Sequence, residues 1–196
     1  VMVMAREGFR HVLVTEPNGK LCGILSERDL FSLQRVGLRQ ISSSIRQAEN
    51  VAVLTNLSKD IRLLTHNMMA QGVAAEQLTQ LISTLNDLLT ARIIELELIS
   101  SGLHQPDASQ TVLCWLALGS EGRLEQTFYT DQDNGIIFTV PGGETADSMR
   151  AALLPVARRI NEALAKCGFP LCKGGVMASN PKWCLSADEW QETFSA

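Results

Sequence analysis

The chain lacks the features of a membrane, secreted or nucleic-acid-binding protein. Its longest uncharged apolar stretch, Thr111 to Leu118, is far shorter than the roughly 20 residues that a membrane-spanning helix needs. No basic segment followed by an apolar core marks a signal peptide. A net charge of −4 argues against binding nucleic acid mainly through phosphates. We therefore expect a cytoplasmic protein with neither a membrane nor a nucleic acid as partner.

Cysteine is also scarce and follows no disulfide or zinc-finger pattern. There are five cysteines and no C-x-x-C pair, which indicates reduced thiols in a cytosolic protein. A zinc site from Cys167, Cys172 and Cys184 is one alternative. No histidine lies near them in sequence and their spacing fits no common finger, so structural thiols are the favoured interpretation.

The composition itself is that of an ordinary globular protein. With 196 residues, 45% of them hydrophobic and 19% charged, the chain is long enough for a sizeable core and is not intrinsically disordered. We expect an α/β (α+β) fold in three parts: residues 1–44, a helical segment 45–104, and an alternating strand and helix region 105–196.

The first part reads as a hairpin followed by a helix. Strands are predicted at His11–Glu16 and Leu21–Leu25, joined by a turn at Pro17–Lys20. Ser26 then caps a short helix from Glu27 to Leu33, which has acidic residues in its first turn.

The second part is helical. Ser58 is the predicted N-cap of one helix and Gly72 its stop, and a second helix spans Ala75–Ser100. The second helix carries a long apolar stripe. This stripe either forms a coiled-coil contact in a homodimer or packs within the chain.

The third part follows a linker at Gly102–Ser109 and alternates strands with helices. The predicted strands are Thr111–Leu118, Asn134–Val140 and one within Phe169–Met177. The predicted helices are Ser120–Gln126, Thr145–Lys166 with a break near Pro155, and Ser186–Phe194.

The chemistry concentrates in GSEGRLEQTFYTDQD, residues 119–133. Gly119 permits close backbone approach, and Ser120 at a helix start offers a hydroxyl and free N–H groups for a triphosphate. Arg123 lies one turn along that helix, within reach of the same phosphates. Asp131 and Asp133 precede an apolar strand at a spacing that puts both carboxylates on one face, which suits Mg²⁺. Taken singly, these features are usually a helix cap, a surface charge and a solvated turn, and only their combination favours a nucleotide site.

The combined pattern closely resembles the nucleotidyltransferase family related to the PII-protein uridylyltransferases, within the DNA polymerase beta-like superfamily. The similarity extends through residues 115–118 and through GVMASNPKW at 175–183, covering about residues 55–196. The resemblance implies that Gly119 and Ser120 hold the nucleotide phosphates and that Asp131 and Asp133 are the catalytic, Mg²⁺- or Mn²⁺-binding residues. It also implies nucleotide-site roles for two further residues, contact with phosphates for Arg123 and bracing of the site for Glu125.

One departure from the superfamily concerns the third carboxylate. Related enzymes usually carry it on a later strand, where it helps bind metal and acts as the base. The corresponding segment here, PLCKGGVM at 170–177, contains no Asp or Glu. Metal and nucleotide binding can therefore be expected even where transfer is weak or absent.

Residues 8–33 resemble the C-terminal part of a CBS motif, a module that often binds adenine nucleotides. The resemblance implies that Ser26 approaches phosphate and Asp29 the ribose hydroxyls. A helix cap at Ser26 and a solvated acid at Asp29 are the alternative. Because the chain begins with Val inside this motif and stops soon after N-P-x-W, we expect a fragment of a longer protein.

Three functions are consistent with these features. The leading one is a CBS-regulated nucleotidyltransferase that takes an NTP and modifies the hydroxyl of an acceptor of unknown identity. The second is a non-catalytic module that senses nucleotides and signals to a partner. The third is a helical dimerisation module with a degenerate domain.

Overall fold

The computed structural model describes residues 9–26, 38–103, 113–127 and 130–195. The elements run in the order β1 (His11–Thr15), β2 (Leu21–Ser26), α1 (38–47), α2 (Val51–Ala70), α3 (Ala75–Ser100), β3 (Leu113–Ala117), α4 (Gly119–Gly122), β4 (Asn134–Phe138), α5 (Ala146–Lys166), β5 (Cys184–Ser186) and α6 (Ala187–Ser195). This mixture confirms the predicted α+β class. None of the described helices combines the length and apolar character needed to cross a membrane.

The N-terminal hairpin forms as predicted. β1 and β2 pair antiparallel, and the connecting turn uses Gly19 at φ +82°, a value that favours glycine. The cross-strand pair Leu13 and Ile24 remains 63% and 59% exposed. Ser26 ends β2, whereas the predicted helix at 27–33, with Asp29, lies outside the described residues.

Helix α2 begins one residue after Asn50, whose side-chain Oδ1 accepts a hydrogen bond from Val53 N at 3.1 Å. The prediction of Ser58 as N-cap was therefore wrong. Ser58 lies inside the helix, where its hydroxyl donates to the Thr55 carbonyl at 2.8 Å, a local bond that serine can make without ending a helix. The predicted stop is confirmed, because the helix ends at Ala70 and Gly72 has φ +83°.

Helix α3 spans Ala75–Ser100, as predicted, and most of its apolar stripe is buried or half-buried within the chain, except Ile99 near the C-terminal end, which is 51% exposed. Side chains from α1, α2, α3 and α5 form one core, including Ile45, Leu54, Ile61, Leu85, Leu89, Ile93, Ile160 and Leu164. This arrangement favours the packing alternative for the stripe over a coiled-coil contact.

The C-terminal part is built around a three-stranded sheet in the order β3-β4-β5. β4 is antiparallel to β3 and parallel to β5. Ile136 and Phe138 of β4 are almost fully buried and pack in one cluster with Leu153 and Ala157 of α5. β4 is therefore the central strand, and its N-terminal end fixes where the preceding residues lie.

The strand predicted within Phe169–Met177 was wrong. That segment is irregular, and β5 at Cys184–Ser186 supplies the third strand instead. The segment does follow the chain leading into β4, with Gln132 N donating to Pro170 O at 3.0 Å and Asn134 N to Val176 O at 3.1 Å. Gly175 at φ +69° lies between these two contacts, which explains why a regular ladder does not form.

Helix α5 is capped by Thr145, whose hydroxyl accepts from Ser148 N at 3.1 Å. The predicted break near Pro155 was wrong, because the helix continues through it to Lys166. Pro155 removes one N–H from the ladder. Pro155 and Ala151, one turn earlier, both lie on the exposed side of the helix. The Ala151 carbonyl, which has lost its N–H donor, can therefore accept a hydrogen bond from water.

The packing of the helices predicts that substitutions in the core lower stability, whereas those at exposed positions of the same helices do not. Leu89 is fully buried, whereas Leu63 of α2 is 63% exposed. We expect Leu89→Ala to lower the free energy of unfolding by about 2–5 kcal/mol through lost burial and a residual cavity. Leu63→Ala should change it by less than about 0.5 kcal/mol. Urea unfolding followed by circular dichroism measures both, and equal losses would contradict this packing.

Candidate functional site

The candidate site forms where β3 ends and the chain returns to begin β4. Leu118 N donates to Asp133 O at 2.9 Å, and Gly122 N donates to Leu118 O at 3.1 Å. These bonds hold the single helical turn α4 against the residues that precede β4. The two halves of the GSEGRLEQTFYTDQDN motif are thus adjacent in space.

Two glycines allow this close approach. Gly119 has φ +55°, and a Cβ built on it would lie 2.5 Å from Asp133 Oδ2. A Cβ on Gly122 would lie 2.6 Å from the Ala117 carbonyl oxygen. Both distances are shorter than side chains tolerate. The absence of a side chain at Gly119 therefore allows the contact with the Asp133 carboxylate, and its absence at Gly122 allows the turn to pack against the end of β3.

Asp131 and Asp133 lie together, with Cys172 beside them. One carboxylate oxygen from each aspartate and the Cys172 Sγ are all within 4.8 Å of one another. Asp131 is exposed, whereas Asp133 and Cys172 are half-buried. Two carboxylates at this separation form a site of the kind that holds Mg²⁺ or Mn²⁺ together with substrate phosphates.

The position of Cys172 beside the two aspartates was not predicted, because the sequence suggested this residue only as a zinc ligand with Cys167 and Cys184. Cys172 belongs to the segment where a third carboxylate was sought, and this segment runs beside residues 131–134. The side chain that this segment places next to the two aspartates is a thiol. No signal in the sequence could have shown this, because the segment is not a regular strand and its side chains do not alternate by rule.

The zinc alternative is not supported by the described residues. Cys167 and Cys184 are buried and do not join the cluster that contains Cys172. Burial raises the pKa of the Cys167 thiol, and it raises the pKa of Cys184 to about 11. Both therefore remain protonated thiols at neutral pH and behave as structural residues.

Glu121 adds a further carboxyl group next to this cluster. Burial, then the negative charges of Asp87 and Asp133, raise its pKa to about 7. The pKa of Asp87, on α3, is also raised by burial. Helix α3 is anchored to the site by Asn86, whose Nδ2 donates to the buried Gln126 Oε1 at 3.1 Å. The helical segment thus contributes negative charge to the site.

The helix predicted for Ser120–Gln126 is only one turn long, because Leu124 has φ +57° and cannot continue it. The N-cap is Leu118, which makes no side-chain cap bond, so the predicted capping role of Ser120 was wrong. Arg123 lies just beyond the turn and pairs with Glu125 through an Nε–Oε2 contact of 2.8 Å. Both side chains are more than 60% exposed, so this pair can exchange for other partners at low cost.

The chain belongs to the family described as "Putative nucleotidyltransferase DUF294", whose model matches residues 59–196. This range contains the whole candidate site and most of the α2–α3 hairpin. Comparison with curated proteins gave no match, and neither did comparison with solved structures.

Gly119→Ala should disrupt the site. The new methyl group would overlap Asp133 Oδ2 and would also require a left-handed backbone. We expect Mn²⁺ affinity, measured by titration calorimetry, to fall by about tenfold or more, the range seen when the surroundings of metal ligands are altered. The matched control is Gly142→Ala, since a Cβ there meets nothing within 4 Å. Equal affinities for both variants would contradict the proposed contact.

Glu121 predicts a pH dependence of stability in metal-free protein. Its folded-state pKa, about 7, exceeds the unfolded value of 4.5. The folded chain therefore binds more protons between these values, and stability falls as pH rises through this window. Glu121→Gln should be more stable than the parent at pH 8, by at most about 3 kcal/mol, with the advantage shrinking towards pH 4.5. Urea unfolding across this range tests it, and a difference between Glu121→Gln and the parent that does not change with pH would contradict it.

Proposed function

We propose that this chain, as a member of that nucleotidyltransferase family, binds a nucleoside triphosphate with Mg²⁺ or Mn²⁺. It would transfer the nucleoside monophosphate to an acceptor hydroxyl. The observation that carries the proposal is that the Asp133 carboxylate, which lies beside that of Asp131, comes close to Gly119 at the start of the α4 turn. A phosphate-accepting loop and a metal-binding pair are thereby next to each other.

Each site residue has a role in this proposal. Asp131 and Asp133 hold the divalent cation through their carboxylate oxygens. Gly119 leaves its backbone open to the phosphates, and Ser120 offers its hydroxyl to them. Arg123 would turn from Glu125 towards the phosphates once a nucleotide is present, because a phosphate is a stronger partner for guanidinium than one exposed carboxylate.

The proposed reaction is an in-line displacement at the α-phosphorus. The acceptor hydroxyl oxygen forms a bond to the α-phosphorus and loses its proton to solvent. The bond between the α-phosphorus and the oxygen that bridges it to the β-phosphorus breaks, and pyrophosphate leaves. A bound divalent cation supplies charge neutralisation at the attacking and leaving oxygens. The family resemblance suggests a protein hydroxyl, such as a tyrosine on a signalling protein, as the acceptor.

A regulatory role is proposed for the N-terminal hairpin. Its resemblance to part of a CBS motif suggests binding of an adenine nucleotide, with Ser26 at the phosphate and Asp29 at the ribose. The support is the hairpin itself, with strands and turn as that motif requires. Nucleotide occupancy there would then modulate transfer at the Asp131–Asp133 site.

A second candidate function is a nucleotide sensor without transfer activity. The presence of Cys172 beside the two aspartates, where related enzymes use a carboxylate, favours it. A thiol is a poor ligand for Mg²⁺ and a poor substitute for a carboxylate base. This candidate predicts nucleotide binding without release of pyrophosphate.

Calorimetric titration with ATP, UTP and CTP, each with and without Mg²⁺, tests the proposal. We expect Mg²⁺-dependent binding to at least one of them, lost in the Asp131→Asn/Asp133→Asn double variant because the metal ligands are removed. Asp147→Asn, an exposed carboxylate on α5, is the matched control and should bind as the parent does.

The other outcomes separate the alternatives. Mg²⁺-independent binding that survives in the double variant would contradict the proposed site and point to the hairpin. Absence of binding to any of the three nucleotides would refute both nucleotide functions. Pyrophosphate release that requires Asp133 would exclude the sensor.

A further inference from the structure

A buried group of amide side chains lies directly behind the two aspartates. Gln132, Asn134 and Asn161 are each at most 2% exposed. Gln132 and Asn134 flank Asp133 in sequence, while Asn161 belongs to the C-terminal half of α5. None of the three was singled out by motif reasoning as a site residue.

Asn161 is the centre of this group. Its Nδ2 donates to Gln132 Oε1 at 2.8 Å and to Asn134 Oδ1 at 3.0 Å. Its Oδ1 accepts from Ser179 N at 3.1 Å. Its main-chain oxygen accepts from Gln132 Nε2 at 2.9 Å. Both amide hydrogens of the side chain are therefore used, and both point at residues adjacent to Asp133.

Because of the backbone geometry, the hydrogen bonds of Asn161 to Gln132 and Asn134 also orient the two aspartates. Residues 131–134 alternate between exposed or half-buried acids and buried amides, as extended chain requires. Holding residues 132 and 134 from the buried side thus fixes the direction in which residues 131 and 133 point. Asn134 depends on this hold, because its Oδ1 accepts from Asn161 and from Ala178 N at 2.8 Å.

We propose that Asn161 is a positioning residue for the metal-binding carboxylates, an inference that rests on the function proposed above. Its side-chain Nδ2 locks Gln132 and Asn134 so that Asp131 and Asp133 face the same point. Its side-chain Oδ1 also ties α5 to the loop at Ser179. An amide is required for this. A carboxylate at position 161 would meet two acceptors, Gln132 Oε1 and Asn134 Oδ1, with no proton to give them.

The test compares Asn161→Asp with Ile160→Ala in the 196-residue chain. Ile160 is the preceding residue, is 2% exposed, and belongs to the helical core, so its truncation destabilises the fold without touching the amide group. Mn²⁺ affinity is measured from the loss of the free-ion electron paramagnetic resonance signal, at a temperature where circular dichroism shows all variants folded. We expect Asn161→Asp to bind Mn²⁺ about 10–100-fold more weakly than the parent and Ile160→Ala to bind as the parent does.

Each result has a distinct meaning. Parental Mn²⁺ affinity in Asn161→Asp would overturn the positioning role and leave the proposed function intact. Equal weakening in Ile160→Ala would also overturn it, because the effect would then follow stability alone. Failure of the parent to bind Mn²⁺, or binding that persists in Asp131→Asn/Asp133→Asn, would refute the proposed site itself. If Asn161→Asp does not fold, Asn161→Ser, which loses at least one of the two donor contacts, takes its place with the same expectation.

Discussion

The candidate site depends on the alternation of residues 131–134 across an extended chain. Asp131 and Asp133 face one side, while Gln132 and Asn134 are buried on the other. Two carboxylates whose oxygens lie within 4.8 Å repel each other when no cation is present. Polar groups buried at the same depth must be paired to be tolerated. The amides of Gln132 and Asn161 meet that requirement, whereas Asn134 is paired through its Oδ1 but not through its Nδ2. In the positioning role proposed for Asn161, these hydrogen bonds also hold the repelling carboxylates together.

The loop facing these carboxylates is constrained as strongly as the strand. The atoms next to Gly119 and Gly122 are so close that a side chain at either position would overlap them. The left-handed Leu124 then ends the helix after one turn, so Arg123 and Glu125 leave the helix axis and remain exposed. A longer helix would have directed Arg123 along the surface of α4. The short turn instead leaves an exposed, exchangeable ion pair at the edge of the site.

The sequence predicted those features that repeat with a clear period. The apolar stripe predicted both ends of helix α3, and the spacing of Asp131 and Asp133 predicted that their carboxylates would lie together. Features decided by single tertiary contacts were not predictable. Ser58 has the chemistry of a cap but satisfies its hydroxyl within α2. The segment at 169–177 has strand-like composition, but its glycines and its contacts with residues 132 and 134 make it a loop. Cys172 reaches the aspartates only through that loop.

The α2–α3 hairpin contributes residues to the candidate site and is not only a connection that precedes it. Asn86 of α3 is hydrogen-bonded to Gln126 of the motif, and the Asp87 charge helps to raise the pKa of Glu121. The family match also begins within α2, at residue 59. Asp87, Glu121, Asp131 and Asp133 together concentrate negative charge where a polyanionic nucleotide is proposed to bind. We expect such a ligand to bind together with a cation that offsets both sets of charges. The electrostatics of this site therefore predict metal-dependent nucleotide binding under both proposed functions, the transferase and the sensor.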